Sequence, residues 1–356
     1  MNSFFQNKKI LITGHTGFKG CWLALCLQSL GANVKGFSLN PLEISLFKLI
    51  KMNTLMKGLY GDINNYSLVE TMLHDFSPEI IFHLAAQPIV SESYRKPVNT
   101  YSTNIMGTVH LLEAVRKVDS VRVIINITTD KCYENKEWPW KYRESDTLGG
   151  KDPYSSSKAC SELISAAYYH SYFKGSGVKL GTARSGNVIG GGDFARDRLI
   201  PDFIRAIKND TSLTLRCPSA VRPWQYILDC IYGYLLFASY LWEQECDDIE
   251  TYNFAPDMSA SITVNDILDS MSLYLKLNKE IIIGKIENFK ENSYLTLDNS
   301  KAKKELNWYS AVDTPEAIQH TAQWYKIYLE NETDASSLLS ITQKQIDSYL
   351  KLKDLK

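Results

Sequence analysis

The sequence has almost no surplus of charge: 39 Lys and Arg stand against 40 Asp and Glu, a formal net charge of -1. Without a basic surplus there is no broad field to gather nucleic acid or an anionic membrane surface. Long apolar runs are missing as well. The longest, 232-YGYLLFASYLW-242, falls short of the roughly 20 residues a membrane-crossing helix needs and predicts a buried helix instead. Cysteine is sparse, seven residues with no CxxC pair and no Cys/His cluster. This argues against a disulfide framework and against any metal site, and predicts reduced thiols in a cytoplasmic protein. The opening MNSFFQNKKILITG lacks the order of a secretion signal, because its lysines precede a short apolar run that breaks at Gly14.

What is present is a rhythm. Residues 8-KKILITG-14 predict a strand, 21-CWLALCLQSLGA-32 a helix capped by Gly31, and 33-NVKGFSL-39 a second strand, together a βαβ unit. The alternation continues through strand 58–63, helix 66–76, strand 79–86, helix 99–117, strand 121–129, a helix from Pro153 and strand 178–185. Strands separated by helices of this length predict an α/β protein with a Rossmann-type doubly wound parallel sheet, whose ligands gather at the carboxyl ends of the strands.

At 356 residues the chain exceeds the usual single domain of roughly 100–200. We expect a dinucleotide-binding domain over 1–185, with a returning helix and strand at about 225–255. A smaller mixed α/β substrate-binding domain is expected over 186–224 and 256–330, with a strand at 212–217. The segment 331–356 is polar with a weak helical pattern and reads either as a loosely held tail or as an oligomer contact. Trp224, Trp308 and Trp324, in helical or turn-like surroundings, are expected to be packing residues.

The loop 13-TGHTGFKG-20 places Gly14, Gly17 and Gly20 between a strand and a helix. Gly14 allows the tight turn, Gly17 lets backbone approach a pyrophosphate, and Gly20 permits close helix packing. His15, Phe18 and Lys19 share this loop; Lys19 reads either as a phosphate contact or as a solvated lysine. Ala85 and Ala86 are small residues at a strand end, and Asp62 and Ile63 follow another strand, with Asp62 placed for an adenine. The second strand ends in Ser38, Leu39 and Asn40, without the acidic residue that marks many NAD sites, so NAD is expected and NADP stays open.

In 154-YSSSK-158, Tyr154 and Lys158 lie one turn apart on a helix face. A phenol with a reference pKa near 10 is a poor base at neutral pH unless a cation favours the phenolate, and a charge about 4 Å away at an effective dielectric near 20 would lower it by up to about 3 units.

Together with 61-GDI-63, 83-HLAAQ-87, Asn104 and 184-RSGNVIGGGD-193, these motifs resemble the extended short-chain dehydrogenase/reductase family, and within it the nucleotide-sugar 4,6-dehydratases. The likeness covers most of the chain. It implies a nucleotide-sugar substrate, cofactor contacts from Gln87 and Asn104 as well as from the glycine loop, Tyr154 and Lys158, and a homodimer. It also gives a role to 127-ITTDK-131, where a buried strand ends in opposite charges. The resemblance implies that Thr128 and Lys158 assist Tyr154 as base, and that Asp130 and Lys131 serve as acid and base in an elimination, Lys131 in its neutral form. Gln87, Thr128, Asn187, Arg198, Arg222 and Tyr226 are implied as substrate contacts. Arg222 also has chemical sense of its own, since a guanidinium fork suits phosphate oxygens. A nucleotide-sugar 4-epimerase and a non-catalytic dinucleotide-binding regulator on the same fold remain as alternatives.

Overall fold

The structure, a computed structural model, describes residues 2–215, 218, 220, 222–257, 262–277, 283–285 and 295–354. Its strands are β1 (Lys9–Thr13), β2 (Asn33–Ser38), β3 (Lys57–Tyr60), β4 (Ile80–His83), β5 (Val123–Ile127), β6 (Lys179–Ser185), β7 (Asn187–Ile189), β8 (Leu213–Leu215), β9 (Trp224–Tyr226), β10 (Glu250–Phe254) and β11 (Ile283–Lys285). Seven of them form one parallel sheet in the order β10-β6-β5-β4-β1-β2-β3. The chain runs outward from β1 to β3, then returns to place β4 on the other side of β1. That reversal opens a crevice beyond the carboxyl ends of β1 and β4, where the glycine loop and Ala85 lie.

Strand residues alternate between two cores, as the two-residue period of a strand demands. Ile10, Ile12, Phe82 and Ile125 pack on one face with Trp22 and Leu23, while Leu11, Ile81 and Ile124 face Val69, Leu111 and Leu112 on the other. Apolar on both sides, the strands are buried by helices, and no described helix is long and apolar enough to cross a membrane. The run 232–242 lies inside the helix Ile227–Glu243, whose Tyr234, Leu235, Phe237 and Leu241 are buried.

The helix Phe18–Ser29 ends as its sequence predicts. Gly31 takes φ +75°, its N–H bonds to Gln28 O and that of Ala32 to Leu27 O, which satisfies two carbonyls at the helix end. The helix expected over 99–117 is interrupted: Pro97–Tyr101 and Gly107–Val115 flank a π-helical turn, Ser102–Met106, around the buried Asn104. Such wide turns often occur beside functional sites, and this one aims Asn104 at the loop after β4.

Past β6 two short parallel pairs form, β7 with β9 and β8 with β11. The strand expected at 212–217 is realised as β8; Arg216 and Cys217 lie outside the described residues, as do parts of the segment 256–330. Trp308 and Trp324 are fully buried and Trp224 nearly so, the last on a strand rather than in a helix or turn.

The polar C-terminal segment is neither loose nor unpartnered. Ala335–Asp354 is a helix that buries Leu338, Thr342, Ile346 and Tyr349. Trp324 Nε1 donates to Thr342 Oγ1 at 2.9 Å, and the Tyr349 hydroxyl donates to the buried Asp229 at 2.6 Å. Its apolar residues are spread among polar ones, so the pattern is weak, but Leu338, Ile346 and Tyr349 join the core and Leu339, Ile341 and Leu350 pack against it.

Candidate active site

A cavity of about 950 Å³ opens at the carboxyl ends of β1, β4, β5 and β6, lined by the glycine loop, Asp62, Ile63, Ala85–Gln87, Thr128–Lys131, Tyr154, Lys158, Asn187, Arg198 and Arg222. Gly14 has φ +79°, and a Cβ there would lie 2.8 Å from Ala85 N; one on Gly20 would lie 2.3 Å from Gly14 O. Both positions therefore exclude a side chain, and the loop packs directly on the helix it starts. The helix N-cap is Gly17, with no side-chain cap. Its first N–H groups are left facing the cavity, the arrangement that suits a pyrophosphate, so the residues fit a dinucleotide. Beside the loop, Thr16 Oγ1 bonds Ser38 Oγ at 2.7 Å and donates to Leu39 O, which fills the end of β2 with neutral groups. Asp62 lines the cavity while accepting from Asn64 N.

The doublet after β5 forms one helical turn, Asp130–Cys132, capped by Thr129, whose Oγ1 accepts from Lys131 N. Asp130 is buried and Lys131 Nζ donates to its Oδ1 at 3.2 Å, while 35% of the Lys131 side chain is exposed. Burial opposes the charge on Lys131, yet the Asp130 carboxylate beside it raises the pKa above the ordinary lysine value. In the free site Lys131 is a cation. The expected neutral base must therefore arise after substrate binds, and is not the resting state.

Tyr154 and Lys158 open the helix Pro153–Tyr168, which has Pro153 in its first turn and Asp152 Oδ1 accepting from Ser155 N at its cap. Both side chains are nearly buried. Burial raises the Tyr154 pKa, and the opposing influences of Lys131, a hydrogen bond with Thr129, whose own hydroxyl donates to Asp130, and the Arg198 charge do not overcome it. The expected lowering by Lys158 is thus not reached in the free site. Lys158 Nζ donates to Ile127 O at 3.0 Å, and burial, then the nearby charge of Lys19, brings its pKa down to about 8.

Five more expectations are corrected by geometry. Thr128 donates to Glu162 Oε1, so its hydroxyl is committed beneath the cavity floor, and Thr129 is the threonine acting on Tyr154. Asn104 does not line the cavity: its amide clamps the backbone of Gln87, accepting from Gln87 N at 2.8 Å and donating to Gln87 O at 3.1 Å. Gln87 lines the cavity, but its own amide is spent on Ile89 and Thr100. Tyr226 is buried away from the cavity with its hydroxyl on Gln345, because β9 turns it toward the core. His15 is likewise turned inward, against Phe47, so only its backbone can serve a ligand. Asn187, Arg198 and Arg222 do line the cavity, Arg198 paired with Asp193 at 3.1 Å.

Sequence reasoning missed the support of this floor. Glu162, one turn beyond Lys158, pairs with Arg184 through Nε and Nη2, both at 2.9 Å, and accepts from Thr128 and Thr182. Arg184 also donates to Tyr133 at 2.7 Å, which ties β5, β6 and the Tyr154 helix together. Removing one partner of a fully buried pair typically costs about 3–5 kcal/mol. The i, i+4 spacing of Lys158 and Glu162 was the available signal.

Two buried histidines give the protein an acid limit. His83, on Thr13 Oγ1 at 2.7 Å, has its pKa lowered by burial and then by Lys158 to about 3, and burial lowers His15 to about 4. A lowered basic pKa means that the unfolded chain binds protons first, so stability is complete above the unfolded value near 6.5 and falls as pH drops below it. Each histidine is expected to cost about 2 kcal/mol by pH 5, read as a drop in chemical-denaturation midpoint between pH 7 and pH 5. An unchanged midpoint would contradict the burial of both rings.

The chain belongs to the GDP-mannose 4,6 dehydratase family, which it matches over residues 11–321. It is 41% identical over 98% of both chains to CDP-glucose 4,6-dehydratase of Salmonella typhimurium (strain LT2), and 26% identical to dTDP-glucose 4,6-dehydratase of Xanthomonas campestris pv. campestris (92% and 95% covered). Among solved structures, its fold matches dTDP-glucose 4,6-dehydratase of Bacillus anthracis in complex with NAD (TM-score 0.74, 24% identity, 91% and 99% covered). It also matches UDP-glucose 4-epimerase of Thermotoga maritima with UDP-glucose (TM-score 0.77, 23% identity, 90% and 99% covered).

Proposed function

We propose that the protein is an NAD-dependent CDP-glucose 4,6-dehydratase, which converts CDP-glucose to CDP-4-keto-6-deoxyglucose and water in the cytoplasm. The observation that carries this reading is the Asp130–Lys131 pair facing Tyr154 in one cavity, in a chain whose near full-length relative at 41% identity is a CDP-glucose 4,6-dehydratase. The sheet with its returning strand β10 would hold the cofactor, and the segments around β7–β9 and β11 the nucleotide sugar.

When bound, the oxidised nicotinamide supplies a positive charge and a hydride acceptor for carbon 4 of the sugar, later returning the hydride to carbon 6. With the cofactor's positive charge in place beside those of Lys131 and Arg198, Tyr154 releases its own proton to solvent, and the phenolate so formed takes the proton of the sugar 4-hydroxyl. The resulting ketone acidifies the hydrogen on carbon 5. Substrate closing over Lys131 removes water from the ion pair, and transfer of its proton along the 3.2 Å hydrogen bond leaves a neutral amine and a neutral carboxylic acid. Desolvation favours that uncharged pair. Lys131 then takes the carbon 5 proton and Asp130 protonates the departing 6-hydroxyl. Arg198, Arg222 and Asn187 line the part of the cavity suited to the substrate's diphosphate.

An epimerase needs no such acid and base for elimination, which favours dehydration over the epimerase reading. The test is incubation with NAD and CDP-, UDP-, dTDP- or GDP-glucose, followed by mass spectrometry. Loss of one water from CDP-glucose is expected; loss only from another nucleotide sugar would overturn the choice of base, and unchanged masses the dehydratase reading.

We also propose a homodimer, built on the exposed Val98, Tyr101, Leu163 and Tyr172 of the helices before and after β5. Sedimentation of the purified protein as a monomer at micromolar concentration would contradict it.

A further inference from the structure

Lys19 occupies the glycine loop, where its side chain could have extended into solvent or toward a phosphate. It does neither. The side chain crosses beneath the loop, and Nζ donates to Ser185 Oγ at 2.8 Å and Tyr234 OH at 3.4 Å. Ser185 ends β6 and Tyr234 comes from the helix Ile227–Glu243; both are buried, and Lys19 and Ser185 line the cavity while Tyr234 does not. These hydroxyls and the nearby Cys230 thiol are its partners, so among the described residues no carboxylate neutralises the ammonium by direct contact. The charged and titratable groups acting on it are Cys230, Arg198 and Asp130, and its own charge acts in turn on Lys158.

On the reading given above, the pyrophosphate lies on the loop and the reactive ring lies against Tyr154 and Lys158. Lys19 Nζ then sits on the path between them, on the ring side. An oxidised nicotinamide ring is a cation; after it has accepted a hydride, one hydrogen nucleus with two electrons, it is neutral. We propose that Lys19 is a positioning residue that sets the cofactor's redox preference, disfavouring the cationic ring and favouring the neutral one. Beside the cationic ring the ammonium must tolerate repulsion or release its proton, while beside the neutral ring it keeps it, so the neutral form is bound more tightly on either course. Burial lowers the pKa of Lys19, which makes proton release accessible.

The consequence for the reaction is directional. Hydride removal from carbon 4 is helped, because it relieves the conflict, and a Lys19 that contacted only phosphate would give no such bias.

The test compares the binding of NAD, NADH and ADP-ribose to wild-type protein, Lys19→Met and Lys19→Arg by titration calorimetry. ADP-ribose carries the pyrophosphate but not the ring. In Lys19→Met the ratio of NADH to NAD affinity is expected to fall roughly tenfold or more, with ADP-ribose affinity nearly unchanged and the ratio largely kept in Lys19→Arg. Equal losses for all three ligands would make Lys19 a phosphate contact and overturn the proposal, as would an unchanged ratio. If the wild-type protein bound none of the three, the dinucleotide reading of the cavity itself would fall first.

Discussion

Replacing Tyr154 with phenylalanine is expected to lower CDP-glucose turnover by roughly 10²–10⁴-fold, the range that a positioned general acid or base contributes. Cofactor affinity should change little, because the glycine loop and the open helix N-terminus hold the pyrophosphate without this hydroxyl. The free-site electrostatics make the expectation specific. Burial keeps Tyr154 a neutral phenol, and Lys131, Thr129 and Arg198 pull its pKa down without reversing the shift. Activation therefore waits for the charge brought by the oxidised cofactor, and wild-type activity measured against pH should lack an ionisation attributable to a free phenolate. Thr129→Val should lose activity as well, whereas Thr128→Val should act mainly on stability through Glu162. Full activity in Tyr154→Phe, read by the release of dehydrated product, would remove the assignment.

Lys131→Met is expected to lower product formation by a comparable factor of roughly 10²–10⁴, but at a different bond. Tyr154 remains to take the 4-hydroxyl proton, so the sugar can still be oxidised at carbon 4. Removal of the carbon 5 proton then lacks its base, and Asp130 loses the partner from which it receives a proton across 3.2 Å. In deuterated water the wild-type product should carry deuterium at carbon 5, while the variant should incorporate almost none. Lys131→Glu, which keeps a side chain able to take a proton at this position, should retain more activity than Lys131→Met. Rapid carbon 5 exchange in Lys131→Met would move the base elsewhere in the cavity.

Much of this site could be read before any coordinates, because its motifs are local. The glycine loop, the Tyr154/Lys158 turn and the Asp130–Lys131 doublet each follow from spacing within one element, and the strand ends bring them together by topology. What spacing could not reveal was direction. Thr128 and Thr129 are neighbours on a strand end, and the pleat sends only one toward Tyr154 while the other meets Glu162. Tyr226 follows the same logic on β9, where it faces Gln345 instead of the cavity. The π-helical turn hid the true part of Asn104, which braces the Gln87 backbone. The sign of the Lys131 shift was also invisible, since it depends on how far burial and the Asp130 carboxylate offset each other at one distance. The C-terminal segment showed only a weak helical pattern, and its packing was not legible, because its buried residues Leu338, Ile346 and Tyr349 are spaced widely among polar ones.

The most direct test of the whole account follows the hydrogen on carbon 4. CDP-glucose deuterated at that position would be incubated with the protein and NAD, and the product examined by mass spectrometry and proton resonance. The expected product is lighter by one water and carries the carbon 4 deuterium on carbon 6. Deuterium retained on carbon 4 of an undehydrated sugar would contradict it.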